Sequence, residues 1–290
     1  MPPALTIIVP SCRRGLGIRA CVDTLRRDFG PEVELLVVLN GADSLAENSL
    51  HELARCDPCL RWLVFRRRLG KGRALQVGLR AATGEVVGFI DDDLPFPLER
   101  LREATQHLEA REFDGFICSK WLGVSFESVE QPLLRKVFGR VFNLGVRYVF
   151  GLTYSDTQGG AKFLKREALL EVLGHPALCS GFCYDLELLL RLREHGRTLG
   201  ELPLQARNTD NSTVGLLRQL VPVCREFGTL WMAWGRFSPF RPSFRGGTYP
   251  HAWRGEPGQD PRARHASGSD PASPCAPVDR LRSRNPAGRP

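Results

Sequence analysis

The amino-acid sequence predicts an α/β fold: a Rossmann-like, mostly parallel central sheet flanked by helices. Three observations lead there. Short β-branched and aromatic runs alternate with helix-length stretches over roughly the first 120 of 290 residues; strands separated this way pair in parallel through right-handed crossovers. The run Val86-Val87-Gly88-Phe89-Ile90 has the length and composition of a buried strand. Asp91-Asp92-Asp93 leaves its carboxyl end, which is where open α/β sheets place their ligands.

Residues 5–9 read as the first strand, ending at Pro10, and residues 35–39 as the second. Residues 62–65, 86–90 and 116–118 supply the third, the fourth and part of a fifth. Helices are expected between them over residues 18–27, 45–54, 73–82 and 97–111. Ser11-Cys12-Arg13-Arg14-Gly15-Leu16-Gly17 follows the first strand without Gly-x-Gly-x-x-Gly spacing, which argues against a dinucleotide-binding dehydrogenase.

Beyond the fifth strand the pattern turns amphipathic. Over residues 133–152, Leu134, Val137, Phe138, Val141, Phe142, Val146 and Val149 form an apolar set. Lys136, Arg140, Asn143 and Arg147 recur at spacings of four, three and four, on one helical face. Such a basic helix either packs its apolar stripe on the core or anchors the protein at a membrane interface. A second amphipathic stretch covers residues 214–234, interrupted at Pro222 and ending in Trp231 and Trp234. Tryptophans there suit a membrane–water boundary or a core equally. A shorter helix is expected over residues 186–193.

The composition, 42% apolar and 25% charged, is ordinary for a soluble globular protein. The formal charge of +8 gathers at one end: from Arg236 onward ten Arg oppose Glu256, Asp260, Asp270 and Asp279, leaving +6 there and +2 over the first 235 residues. So nearly neutral a body is not a nucleic-acid-coating surface. Two units are expected. Residues 1–237 form the folded domain, and residues 238–290 a basic Pro/Gly/Arg-rich tail whose lack of apolar clusters reads as disorder. The nine cysteines form no disulfide framework; Cys56-Asp57-Pro58-Cys59 is a lone CxxC, and Cys179 and Cys183 read as core residues. An odd count without a signal peptide leads to the expectation of a reducing cytoplasm. No apolar run reaches the ~18 residues of a membrane span, so contact at the cytoplasmic membrane face is expected to be peripheral.

Adjacent carboxylates repel one another unless positive charge lies between them. A divalent ion bridging to a diphosphate answers that, since Mg²⁺ takes one or two carboxylates plus phosphate oxygens. A solvated acidic turn ahead of the next helix is the alternative.

Five features stand in one order. They are Ile8-Val9-Pro10-Ser11; Val37-Val38-Leu39-Asn40-Gly41 with Asp43 beyond; Leu69-Gly70-Lys71-Gly72-Arg73-Ala74 opening a helix; Asp91-Asp92-Asp93; and Ser155-Asp156-Thr157-Gln158-Gly159-Gly160-Ala161-Lys162-Phe163. Together they resemble the family 2 glycosyltransferases of GT-A fold, and within these the dolichyl- or polyprenyl-phosphate hexose (glucose or mannose) synthases, over roughly residues 4–230. The run from Asp156 carries most of the resemblance. Gly181-Phe182-Cys183-Tyr184-Asp185-Leu186-Glu187 matches an aromatic followed by Asp-x-Glu, and Asn211-Ser212-Thr213 a turn before the last helix. Two departures stand out: Cys12-Arg13-Arg14 replaces an Asn-Glu pair, and Asn40 an acidic residue.

The resemblance implies an inverting transfer of a hexose from a UDP- or GDP-hexose to a polyprenyl phosphate, with Mg²⁺ or Mn²⁺ held by Asp91 and Asp93. It makes Pro10, Asn40, Asp43, Lys71, Arg73, Asp91 and Asp92 donor-side residues, with Asp93 the inner metal ligand. It makes Arg135, Arg140, Asp185, Glu187 and Ser212 acceptor-side residues, and Asp156 the base or orienting group. Asp156 also reads as a turn cap, and Asp185 and Glu187 as ordinary acidic residues at a helix start. A family 2 enzyme with another acceptor, and a sugar-1-phosphate nucleotidyltransferase, are the alternative readings; Arg14-Gly15-Leu16-Gly17-Ile18-Arg19 is a partial echo of the latter.

Overall fold

The computed structural model describes residues 3–12, 15–41, 44–94, 96–106, 108, 113–123, 125–126, 129, 131–204 and 216–235. Seven strands form one sheet: β1 (Leu5–Ser11), β2 (Glu34–Asn40), β3 (Leu60–Phe65), β4 (Val86–Ile90), β5 (Gly115–Ser119), β6 (Ala161–Lys165) and β7 (Leu199–Pro203). Their order across the sheet is β3-β2-β1-β4-β6-β5-β7. β1 pairs in parallel with β2 and β4, β2 with β3, and β5 with β7, whereas β6 runs antiparallel between β4 and β5. The expected mostly parallel sheet is present, and β6 is its reversed strand.

β1 continues through Pro10, where the sequence had it stop. The β1–β4 ladder ends at Ile8↔Phe89, while pairing with β2 runs on to Ser11↔Leu39. Pro10 therefore sits where one flank is already unpaired, and the N–H it lacks is not missed there.

Both faces of the sheet are covered. On one side α1 (Gly15–Phe29), α2 (Ser44–Leu53) and α4 (Leu98–Gln106) pack over a cluster that includes Ile7, Val9, Leu35, Val37, Leu101 and Phe163. On the other, α3 (Lys71–Ala81), α6 (Arg166–Leu173) and α7 (Tyr184–Glu194) pack with Ile8, Leu36, Val38, Val87 and Phe89. Alternate residues of β1 thus enter opposite cores, which is why its sequence is a continuous apolar run. Gly78 lets α3 lie close: a Cβ there would meet Ile8 Cγ2 at 2.6 Å.

α5 (Leu133–Phe150) and α8 (Leu216–Trp234) pack on each other through Phe142, Phe150 and Phe227. α8 runs unbroken through Pro222, the point of expected interruption. Of its two tryptophans, Trp234 is buried against Glu194 and Arg191 while Trp231 is part-exposed. Among the described residues no helix is long and apolar enough to cross a membrane. The expected tail, residues 238–290, lies outside the described residues.

Candidate active site

The carboxyl ends of the parallel strands set the site's position, and β6 completes it. Because β6 runs backward, the loop before it arrives at the edge where β4 ends, with Ile90 paired to Ala161 and the Asp91 N–H donating to the Gly160 carbonyl at 2.8 Å. Asp91 and the Asp156 segment are therefore neighbours on one sheet edge, although 65 positions separate them in the chain. Gly159 makes the approach possible: a Cβ on it would stand 2.0 Å from the Cys118 carbonyl oxygen.

The three carboxylates of the triplet take different partners. Asp91 receives the Lys71 ammonium at 2.8 Å. Asp92 accepts the Ser11 hydroxyl at 2.6 Å, which ties the triplet to the end of β1. Asp93 stands near enough to Asp91 to disfavour its ionisation.

Lys71 is the first residue of α3, and it also lies 3.6 Å from Asp185 at the start of α7. Asp185 in turn accepts Lys162 from β6 at 2.8 Å, and Lys162 also donates to the Gly159 carbonyl at 2.9 Å. The result is an alternating chain, Asp91–Lys71–Asp185–Lys162, whose last two members have 1% and 0% exposed side chains.

Electrostatics divide this chain into a satisfied end and an unsatisfied one. Burial works against the Asp185 carboxylate, but Lys162 and Lys71 overcome it and hold its pKa below the ordinary value. Burial likewise opposes the Lys71 charge, and Asp185 and Asp91 together hold the ammonium above its usual range. Asp91 behaves differently. Burial pushes its carboxyl up, Lys71 only partly relieves it, and Asp185 and Asp93 push further up. The exposed end of the cluster is thus short of positive charge.

That shortage is the test of a divalent ion here. Asp91 and Asp93 are hard oxygen donors at an edge left electron-rich, and a Mg²⁺- or Mn²⁺-type ion suits one or two carboxylates completed by phosphate oxygens. Among the described residues no three His, Cys, Asp or Glu side chains converge into a ready-made cage. The residues present fit an ion that arrives with a diphosphate rather than one held by protein alone.

Asn40 and the α3 loop interlock. The Leu69 N–H donates to Asn40 Oδ1 at 2.7 Å, and Asn40 Nδ2 donates to the Gly70 carbonyl at 3.2 Å. Gly70 adopts φ 90° against the Ser180 carbonyl, and a Cβ on Gly72 would lie 2.5 Å from Tyr184 Cβ. These contacts fix where Lys71 starts its helix. Both functional groups of the Asn40 amide are engaged with backbone, so its place is as a brace for Lys71. Arg73, two residues on, is exposed, and its guanidinium donates to Gln76 at 3.1 Å.

Asp156 is buried, with Lys120 at 3.2 Å and the Gln158 N–H donating to its other oxygen at 3.1 Å. The turn-cap role and a charged partner coexist. Lys120 leads on to Trp121, whose ring also carries the Arg140 guanidinium at 4.7 Å from its centroid. Arg140 is therefore brought toward Asp156 through one indole. Arg135 lies half-buried in the first turn of α5.

Glu187 is placed elsewhere. Its carboxylate accepts the N–H groups of Leu178 and Cys179 and pairs with Arg191 at 2.8 Å. It is fully buried and holds a loop, as a helix-start acidic residue does. Asp43 and Ser212 lie outside the described residues, and Pro10 stands half-buried in β1.

Sequence reasoning missed Lys120, Lys162 and Glu201. Lys120 follows β5 just as Asp91 follows β4, so the strand-end rule that selected the triplet could have selected it too. Lys162 sits mid-strand between apolar neighbours, the mark of a charge with a buried partner. Glu201 belongs to β7, a strand not foreseen.

The family model for glycosyl transferase family 2 matches residues 6–173. Over 215 residues, 74% of this chain, the sequence is 26% identical to the glycosyltransferase AglD of Haloferax volcanii, covering 34% of that protein. It is 23% identical over 212 residues to the dolichyl-phosphate beta-glucosyltransferase ALG5C of Trichomonas vaginalis, covering 69% of this chain and 63% of that one. The chain thus spans about a third of AglD's length and under two thirds of ALG5C's. In fold it is similar to the mannosyltransferase PcManGT of Pyrobaculum calidifontis, solved with GDP-Man and Mn²⁺. The TM-score is 0.55 at 19% identity, covering 86% of this chain and 66% of that one.

Proposed function

The chain belongs to glycosyl transferase family 2, and we propose that it moves a hexose from a nucleotide-diphosphate sugar to a polyprenyl phosphate, with inversion. The observation that carries this reading is the single sheet edge on which Lys71–Asp91 and Lys120–Asp156 meet. One pair suits a diphosphate leaving group, and the other the incoming nucleophile.

On the donor side, Lys71 and the amino end of α3, which has no acidic residue in its first turn, present positive charge to the diphosphate. Asp91 and Asp93 would hold a divalent cation, which neutralises the departing diphosphate when bound; the Mn²⁺ in the solved PcManGT complex supports a divalent cation as such. Asn40 and Asp185 keep Lys71 in register, one through its loop and the other through its charge.

On the acceptor side a phosphate monoester has a second pKa near ~6, so most of it is dianionic at neutral pH and needs little deprotonation. Orientation then matters more than basicity. Asp156, held between Lys120 and its own turn, orients the incoming oxygen, and Lys120 and Arg140 attract the phosphate. The dolichyl-phosphate relative supports a lipid acceptor.

The outer face of α5 supports the same acceptor. Leu133, Leu134, Val141, Leu144 and Tyr148 are 63–68% exposed, with Val137 between them. The helix carries four basic residues and no acidic one. Its polar residues flank that stripe: the buried Asn143 donates to the Ser155 carbonyl and Lys136 to the Phe126 carbonyl, while Arg140 and Arg147 are exposed and Arg140 stacks on Trp121. An apolar outer stripe with basic flanks suits peripheral contact with an anionic lipid surface at the cytoplasmic membrane face.

The test is incubation of purified protein with labelled UDP- and GDP-hexoses and polyprenyl phosphate in detergent. Label in a lipid-linked monophosphate sugar is the expected product. Label found only in free sugar or in a soluble glycan acceptor would overturn the lipid assignment.

A further inference from the structure

Glu201 lies in the interior of β7, opposite Ile117 of β5, with only 4% of its surface exposed. Its carboxylate reaches the segment just before Asp156. One oxygen accepts both the Ser155 N–H at 2.7 Å and the Ser155 hydroxyl at 2.6 Å. The Asp156 N–H also favours the charged form of this carboxylate. From the other side, Ser119 Oγ lies 2.6 Å from Ser155 Oγ, and Asn143 Nδ2 donates to the Ser155 carbonyl at 2.7 Å. Three elements, β5, β7 and α5, thus clamp a single residue, and that residue directly precedes Asp156.

No ion pair holds Glu201 among the described residues. Burial raises its carboxyl pKa, the Ser155 and Asp156 bonds oppose that rise, and the neighbouring Asp156 charge adds to it. A fold in need of a hydrogen-bond acceptor alone could use a neutral carbonyl at that position, at lower desolvation cost. Here a carboxylate stands beside a second carboxylate, accepting the Ser155 N–H and hydroxyl while the Asp156 N–H also favours its charge.

We propose that Glu201 is a positioning residue for the transfer reaction, holding the Ser155–Asp156 turn so that the Asp156 carboxylate faces the acceptor phosphate. This rests on the proposed role of Asp156. Glu201 touches neither donor nor acceptor; it acts through the backbone of the residue that does. The donor half of the site, built by Lys71, Asp91 and Asn40, shares no contact with it. Its removal therefore weakens turnover and leaves nucleotide-sugar recognition as it was.

The experiment is a double-mutant cycle read in kcat and in the KM for the nucleotide sugar. Glu201→Ala is expected to lower kcat on the order of 10²-fold, the effect of displacing a reacting group by about an ångström, with the donor KM unchanged. Glu201→Gln is expected to recover only part of the loss: its amide oxygen still accepts both Ser155 bonds, but its NH₂ cannot accept a further N–H. In an Asp156→Asn background Glu201→Ala is expected to cost nothing more. Ser155→Ala, which deletes one bond without touching β7, is expected to lower kcat in the same direction and guards against misfolding of Glu201→Ala. Equal losses from Glu201→Ala in both backgrounds, or a raised donor KM, would overturn the positioning role while leaving Asp156 in place. Full activity of Asp156→Asn would overturn Asp156's role and this inference together.

Discussion

At the scale of single residues, the buried charges differ in how fully they are satisfied. Asp185 is satisfied by two lysines, and Lys162 depends on it completely, having otherwise only the Gly159 carbonyl and the face of Phe89. Asp185→Asn is expected to cost about 3–5 kcal/mol at pH 7, the usual effect of stripping one partner from a buried pair. The sign with pH follows from the depressed folded pKa of Asp185. Its stabilisation is present above the unfolded carboxylate value and is lost as pH falls through the lower folded value. The deficit of the variant should therefore shrink on acidification. Asp91, whose folded pKa is raised, has the opposite sign: its stabilisation is lost as pH rises from the unfolded value through the folded one. Asp91→Asn is expected to cost less than Asp185→Asn at pH 7, since Lys71 keeps Asp185 as a partner. Urea unfolding of both variants across pH 3–7 checks the pair, and a cost for Asp91→Asn that matches that of Asp185→Asn would contradict the charge ordering.

At the scale of elements, the strand-end rule was the most legible feature of the chain. β1 to β5 and the helices between them follow from alternating apolar runs, and Asp91 to Asp93 from the carboxyl end of β4. The backward strand β6 was not legible as a strand, because Ala161-Lys162-Phe163-Leu164-Lys165 places a lysine in its interior and reads as part of a polar motif. Only the Lys162–Asp185 pair, which joins residues 23 positions apart, makes that lysine compatible with a core. The amphipathic character of α5 was readable, but its orientation was not. Helical periodicity separates faces without saying which one the core takes, and here Phe138, Phe142 and Val146 turn inward along with Asn143. The outward stripe is testable as an element. Val141→Glu with Leu144→Glu is expected to reduce co-flotation with anionic vesicles at least about tenfold, since each buried Val or Leu is worth about 1.5–3 kcal/mol. Hydrolysis of a nucleotide sugar in solution should stay at the parent rate. Undiminished flotation of the double variant would remove α5 from the lipid-facing surface.

At the scale of the whole molecule, the sheet order brings distant segments to one edge. β4 delivers the acidic triplet, α3 delivers Lys71, β5 delivers Lys120, and the reversed β6 returns the Asp156 loop among them. α5 then spans from the lysine–tryptophan segment to an exposed apolar face, so one helix touches both the candidate acceptor side and the surroundings of the protein. The proposed division of labour across the edge, donor at β4 and acceptor at β6, would depend on a cation joining Asp91 and Asp93 to a diphosphate. Titration of Mn²⁺ into the protein by electron paramagnetic resonance, with and without UDP or GDP, tests that most directly. Mn²⁺ uptake is expected to be weak alone, to tighten when nucleoside diphosphate is present, and to disappear in Asp93→Ala. Nucleoside diphosphate bound with equal affinity in EDTA, or undiminished Mn²⁺ uptake by Asp93→Ala, would contradict it.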